Sequence, residues 1–130
     1  MRIHHIGYLV KKIEKARAAF VKLGYEIETE IVYDDIRKAD ICFLKKDGYR
    51  VELVSPVSDD SVVANLIRQY RNAPYHLCYA SDSFEQDCAS LESGGYVRMG
   101  EDCPAPAMGG KKVAFFFSSA IGIVEVAEEA

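Results

Sequence analysis

The chain has no block of basic residues. Its 16 lysines and arginines are scattered among 20 aspartates and glutamates, for a net charge of −4. Nucleic-acid binding asks for a basic stripe or face, so that class of partner is excluded. A few local cations still suffice to bind a small anion. No apolar run approaches the roughly 20 residues of a membrane-spanning helix, so no membrane role is expected. The stretch after Met1 reaches Lys11 and Lys12 too soon to be a secretory core followed by a cleavage site. The four cysteines, at 42, 78, 88 and 103, show no C-x-x-C spacing. They read as reduced thiols of a cytoplasmic protein, with Cys88 in a packing role. What is left is an ordinary globular composition, and 130 residues suit one domain spanning 1–130.

The most informative feature is an internal repeat. With His5 set against His76, the same offset matches Ile6 with Leu77, Tyr8 with Tyr79, Ile13 with Phe84, Phe20 with Leu91 and Gly24-Tyr25 with Gly95-Tyr96. Further on, an offset two residues longer matches Phe43 with Phe116, Val51 with Val124 and Glu52 with Glu125. The chain is therefore a tandem duplication: one module over 1–56, a connector over 57–73 and a second module over 74–130. Neither module alone is large enough to bury a stable core, so the two are expected to pair sheets.

Both modules have the same local pattern. Strand-like segments at 3–10 and 75–80 precede helices. One has Ile13, Ala16, Phe20 and Leu23 three or four apart, and the other has Phe84, Cys88 and Leu91. Gly24 and Gly94/Gly95 fall where a helix C-cap needs a left-handed residue. Three strands are expected next in each copy, at 26–33, 39–45 and 49–54 and at 96–101, 112–118 and 122–127. The expectation is an α+β fold of two tandem βαβββ modules with paired sheets. Lys46-Asp47-Gly48 signals a hairpin. In the connector, Asp59-Asp60-Ser61 is expected to cap a short helix carrying Val63, Leu66, Ile67 and Tyr70. The Pro- and Gly-rich loop 102–111 is expected to lack regular structure and to be able to act as a lid.

Alternation along a strand separates Ile6, Tyr8 and Val10 from His5, Gly7 and Leu9. It likewise puts Arg50, Glu52 and Val54 on one face, and Ile123, Glu125 and Ala127 on another. Glu52 and Glu125 each sit within an apolar strand, where a carboxylate must be paired, hydrogen-bonded or bound to a metal. A lone histidine or glutamate on a strand is usually structural. Two of each at equivalent places in two copies point instead to one divalent ion held by His5, Glu52, His76 and Glu125. That donor set, without thiolate, suits Ni²⁺, Co²⁺, Zn²⁺, Fe²⁺ or Mn²⁺. Such a centre stabilises the charge that develops when a carbon acid loses its proton, with Glu125 or Glu52 available as base.

These segments resemble the vicinal oxygen chelate (glyoxalase/bleomycin resistance/dioxygenase) superfamily, which implies that the paired sheets are curved and form a metal-containing cup. The resemblance is carried by His5-Ile6-Gly7-Tyr8-Leu9-Val10, Tyr49 through Pro56, Pro74-Tyr75-His76-Leu77 and Gly122 through Val126, and it covers nearly the whole chain. Within the superfamily the chain is similar to short bacterial glyoxalase I (lactoylglutathione lyase) and to methylmalonyl-CoA epimerase. The ligand order His, Glu, His, Glu implies the glyoxalase activity: a methylglyoxal–thiol hemithioacetal is converted to a lactoyl thioester through an enediolate. The same resemblance implies Ni²⁺ or Co²⁺ ahead of Zn²⁺ or Mn²⁺, Glu125 as the base, and a homodimer. The connector resembles the epimerase's instead, and implies epimerisation of methylmalonyl-CoA through an enolate. Tyr75 departs from the histidine that epimerases commonly carry before the second ligand. A third reading is a non-catalytic small-molecule binding or resistance protein. Arg50 and Arg37 are candidate contacts for a thioester or hemithioacetal substrate. His4 should point away from the metal, so its replacement is expected to leave metal content intact.

Overall fold

The computed structural model describes residues 1–129. Among these the fold is mixed α+β, with ten strands and three α-helices. The described residues divide into two compact units, Ile6–Pro74 and Met1–His5 with the residues from Tyr75 onward. No helix among the described residues is long and apolar enough to cross a membrane.

The first unit takes β1 (Arg2–Leu9) from Ile6 onward, which leads into α1 (Ile13–Lys22), followed by β2 (Glu26–Ile27), β3 (Val32–Asp34), β4 (Ala39–Lys46) and β5 (Tyr49–Pro56). β1 lies parallel to β5, and β5, β4 and β2 are joined antiparallel, with β3 also on β4. The helical spacing of Ile13, Ala16 and Phe20 does what it predicts, but Leu23, expected on the same stripe, is the C-cap residue and is 67% exposed. The first three pack with Tyr8, Val10, Cys42, Leu44, Val51 and Leu53 as one apolar cluster. Gly24 adopts φ +101° just past the helix end, a conformation that would strain a side chain. Asp47 and Gly48 both take positive φ, as a two-residue hairpin loop requires.

The second unit repeats this order with β6 (Ala73–Ser81), α3 (Phe84–Ser93), β7 (Val97–Arg98), β8 (Cys103–Ala105), β9 (Lys111–Ser118) and β10 (Gly122–Glu128). β6 is parallel to β10, β10 is antiparallel to β9, and β7 and β8 both pair with β9. Phe84, Cys88 and Leu91 pack with Ala114, Phe116 and Val126.

Three expectations need correction. The single strand expected at 26–33 is broken into β2 and β3, because Glu28 and Thr29 both donate their backbone N–H to the Phe43 carbonyl, at 2.9 and 3.3 Å. The second copy breaks at the same place, where Met99 N–H donates to the Phe115 carbonyl at 2.7 Å. Loop 102–111 is not irregular throughout, since it contains β8 and a 3₁₀ turn at Pro106–Met108. Ala105 and Met108 from this segment pack onto Cys78, Val113, Phe115 and Ala127.

The matching of Phe43 with Phe116 is off by one. Phe43 pairs with Glu52 in β5, whereas Glu125 pairs with Phe115, so Phe115 is the counterpart of Phe43 and Phe116 that of Leu44. Two phenylalanines in a row hide this slip, although one residue moves a strand side chain to the other face. The longer offset of the last strands thus arises in two steps. One extra residue lies between β8 and β9, and one lies in the β9–β10 turn.

The connector helix, α2, runs from Ala64 to Tyr70. Its start is held by Ser61, not by Asp59 or Asp60. The Ser61 hydroxyl accepts from Val63 N–H at 3.3 Å and donates to the Arg37 carbonyl at 2.6 Å. Arg37 is itself pinned. Fully buried Asp34 accepts from the backbone N–H groups of Ile36 and Arg37, both at 3.0 Å, and pairs with the Arg37 guanidinium. Removing one partner of a buried pair leaves the other charge desolvated without compensation. Asp34→Ala should therefore lower the unfolding free energy by about 3–5 kcal/mol in urea denaturation.

Candidate metal centre

Three of the four expected ligands come together within one unit. β6 and β10 are parallel with His76 opposite Ile123 and Glu125 opposite Cys78, which puts His76 and Glu125 close together on the same side. His5 joins them from β1. The Nε2 atoms of His5 and His76 are 3.2 Å apart, and they lie 3.1 and 2.9 Å from Oε1 of Glu125. Both imidazoles are fully buried, and Glu125 is 2% exposed. Oε1 is buried and accepts no hydrogen bond of proper geometry among the described residues, despite lying so near two nitrogens.

This spacing fits a cation. Ligand atoms bound at about 2.1 Å and at right angles lie about 3.0 Å apart, whereas tetrahedral angles separate them by about 3.4 Å. Two of the observed distances, 2.9 and 3.1 Å, lie nearer the right-angled value, and the third, 3.2 Å, falls midway between the two cases. Two imidazoles and a carboxylate also suit a borderline divalent ion. The ligand atoms of this set all lie within 4.8 Å of one another.

The surroundings are apolar. The Phe115 ring stands edge-on to His76, with centroids 5.6 Å apart, and Cys78, Val113 and Ala127 share its cluster. Tyr75 contacts His76 from the preceding position, at 4.4 Å between ring centroids. Burial alone would raise the Glu125 carboxyl, but the neighbouring His5 and His76 outweigh it and hold it well below its ordinary value.

Glu52, the fourth expected ligand, lies in the other unit on β5, 6% exposed, opposite Gly7 of β1 and Phe43 of β4. Its register matches that of Glu125, which faces Cys78 and Phe115.

The two candidate substrate-binding arginines have protein partners. The Arg50 guanidinium donates to both carboxylate oxygens of Glu28, at 2.7 and 3.0 Å, and Lys45 joins the same carboxylate at 3.1 Å. Arg37 pairs with Asp34 as described. The spacing of neither arginine reveals its partner, because Glu28 belongs to a separate strand and Asp34 to the end of another. Lys38 and Lys112 are likewise paired, with Asp60 and Glu85. The four cysteines are reduced, and burial pushes the Cys42 thiol up to about 11, which leaves it unreactive. His4 does not point away from the site altogether. Its Nδ1 lies 2.8 Å from Nδ1 of His5.

A family model for the glyoxalase/bleomycin resistance protein/dioxygenase superfamily matches residues 4–115. The chain belongs to this superfamily. An uncharacterized protein of Bacillus subtilis is 24% identical over 115 residues, which cover 88% of this chain and 81% of that one. The mitochondrial methylmalonyl-CoA epimerase of Bos taurus is 25% identical over 127 residues, covering 96% of this chain and 71% of the epimerase. Among solved structures, methylmalonyl-CoA epimerase from Mycobacterium tuberculosis superposes with a TM-score of 0.86 at 18% identity, covering 99% of this chain and 88% of that one. This superfamily member thus has relatives and structural neighbours that are epimerases of a CoA thioester.

The Glu28–Arg50 pair generates a pH prediction. Arg50 is the main influence holding the Glu28 carboxyl below its ordinary 4.5. A depressed carboxyl contributes stability that is fully present above its unfolded value and is lost as pH falls through the folded one. Arg50→Gln should cost about 1 kcal/mol at pH 7. The gap from wild type should close as pH falls below 4.5, as followed by thermal unfolding across that range.

Proposed function

We propose that this protein is a metal-dependent epimerase acting on a CoA thioester of the methylmalonyl-CoA type. The observation that carries this reading is the buried His5–His76–Glu125 cluster, in a chain related over nearly its whole length to a methylmalonyl-CoA epimerase. His5, His76 and Glu125 would hold one divalent ion, with Glu52 as fourth ligand. The internal repeat supports this role for Glu52, since burial and strand register make it the counterpart of Glu125. When bound, the ion supplies Lewis-acid stabilisation of the charge that builds on the thioester oxygen as the α-proton departs.

The remaining chemistry belongs to the chain. Epimerisation needs a proton removed from one face of the α-carbon and returned to the other, so it calls for two acid–base groups. Glu52 and Glu125 are two carboxylates that meet this need. Phe115, Val113, Cys78 and Ala127 provide an apolar floor that keeps water from the carbanion-like centre. A homodimer belongs to the same reading.

The order of the four ligands favours a second reading, glyoxalase I-like isomerisation of a methylglyoxal–thiol hemithioacetal. It requires the same donors, and substrate assays separate the two.

The test has two stages. Purified protein reconstituted with Ni²⁺, Co²⁺, Zn²⁺ or Mn²⁺ should retain about one ion per chain. His76→Ala and Glu125→Ala should lose it. Retention by both variants would remove the site assignment. The loaded protein should then exchange the α-hydrogen of methylmalonyl-CoA for deuterium from solvent. Glu52→Gln and Glu125→Gln should each slow that exchange by about 10²–10⁴-fold. Absence of exchange with every ion, together with turnover of the hemithioacetal, would establish the glyoxalase activity instead. Binding of either substrate without turnover would mark a non-catalytic binding protein.

A further inference from the structure

We infer that His4, which lies outside the proposed ligand set, positions His5 by fixing the tautomer in which its Nε2 is free to bind a metal ion. The inference rests on the metal-binding reading above and adds a residue to it. His4 is half-buried, and its Nδ1 is 2.8 Å from Nδ1 of fully buried His5, with the rings edge-on at 5.1 Å and 79°. At that separation one nitrogen carries the hydrogen and the other accepts it.

The other side of the His5 ring decides which. Its Nε2 faces Glu125 Oε1 at 3.1 Å and His76 Nε2 at 3.2 Å. A nitrogen that takes a cation must present a bare lone pair, and a neutral imidazole has a single N–H. The hydrogen of His5 must then sit on Nδ1, where it is donated to Nδ1 of His4. His4 accepts, and keeps its own hydrogen on Nε2.

Before any ion arrives, three groups compete for the His5 hydrogen. The Glu125 carboxylate at 3.1 Å and His76 Nε2 at 3.2 Å attract it to Nε2, which blocks the lone pair, and His4 attracts it to Nδ1, which exposes the lone pair. His4 therefore holds His5 in the form ready for the ion. The usual partner of a metal-binding histidine's second nitrogen is a carboxylate, a backbone carbonyl or water. Here it is a neutral imidazole from the adjacent residue. Strand alternation misses this contact because it sets the direction of Cβ but not the reach of Nδ1 on the ring.

One competing arrangement uses the same atoms. Cys78 Sγ lies with a ring nitrogen of His4 and one of His5 in a group whose members are within 4.8 Å of one another, so a soft ion lodged there would make His4 a ligand. Counting ions at saturation separates this arrangement from the positioning role.

The experiment measures affinity for Co²⁺ and Zn²⁺ by chelator competition, ion stoichiometry at saturation, and the ¹⁵N resonances of His5 in the metal-free protein. His4→Leu should weaken both ions about 10–100-fold while still binding as many ions at saturation as wild type. His4→Gln, whose amide oxygen can accept, should recover most of the affinity. The wild-type His5 should show its hydrogen on Nδ1, with a shift toward Nε2 in His4→Leu. If the leucine variant does not fold, His4→Ala takes its place. Unchanged affinity with an unchanged tautomer would overturn the inference, as would loss of an ion at saturation. If wild type binds no ion, the metal-binding reading fails, whereas the His5 resonances still report whether His4 sets the tautomer.

Discussion

Burying two imidazoles and a carboxylate within about a hydrogen bond's length of one another is the constraint on which the rest of this structure depends. Each group loses its water, and a buried polar group without compensation costs several kcal/mol. The cost can be met by mutual electrostatics, by a bound cation, or by both. Flexible loops could not hold such an arrangement. Here His76 and Glu125 stand on two adjacent parallel strands, and their spacing is set by backbone pairing along the whole of β6 and β10. The apolar cluster of Cys78, Val113, Phe115 and Ala127 then excludes the solvent that would otherwise weaken the interaction.

Duplication explains how such an arrangement was legible without coordinates. A repeat turns one ambiguous histidine and one ambiguous glutamate into matched pairs, and strand alternation assigns the members to faces. The helices were equally legible, because Ile13, Ala16 and Phe20 and their counterparts Phe84, Cys88 and Leu91 leave little doubt about which side packs inward. Register was harder to read. The adjacent Phe115 and Phe116 offer two matches for Phe43, and only the pairing of β9 with β10 shows that Phe115 is the one opposite the glutamate. The broken second strand was not legible either. It depends on a carbonyl of β4 or β9 accepting from a strand far away in sequence.

The charged residues were the least legible. Arg50 lies two residues from Glu52, and proximity along the strand suggested a shared task. Its guanidinium instead meets Glu28, which a sequence pattern cannot foresee because a salt bridge leaves no periodic trace. The same holds for Arg37, whose partner Asp34 also shapes the turn leading into β4. His4 differs in kind. Alternation set it on the opposite face from His5, yet a ring nitrogen meets its neighbour all the same. Residue types and spacing thus find the side chains that gather in a buried cluster more readily than the neighbours those side chains contact.

The partition of β1 has a further consequence. Residues up to His5 are grouped with the second repeat, and the strand continues from Ile6 with the first. The second unit, which holds His76 and Glu125, thus also takes His5 from the first repeat. Arg2, paired with Glu129, ties the same short segment to that unit. The modules are equivalent in sequence but not in packing. The boundary between repeats and the boundary between packed units are different boundaries, and His5 is a residue on which they disagree.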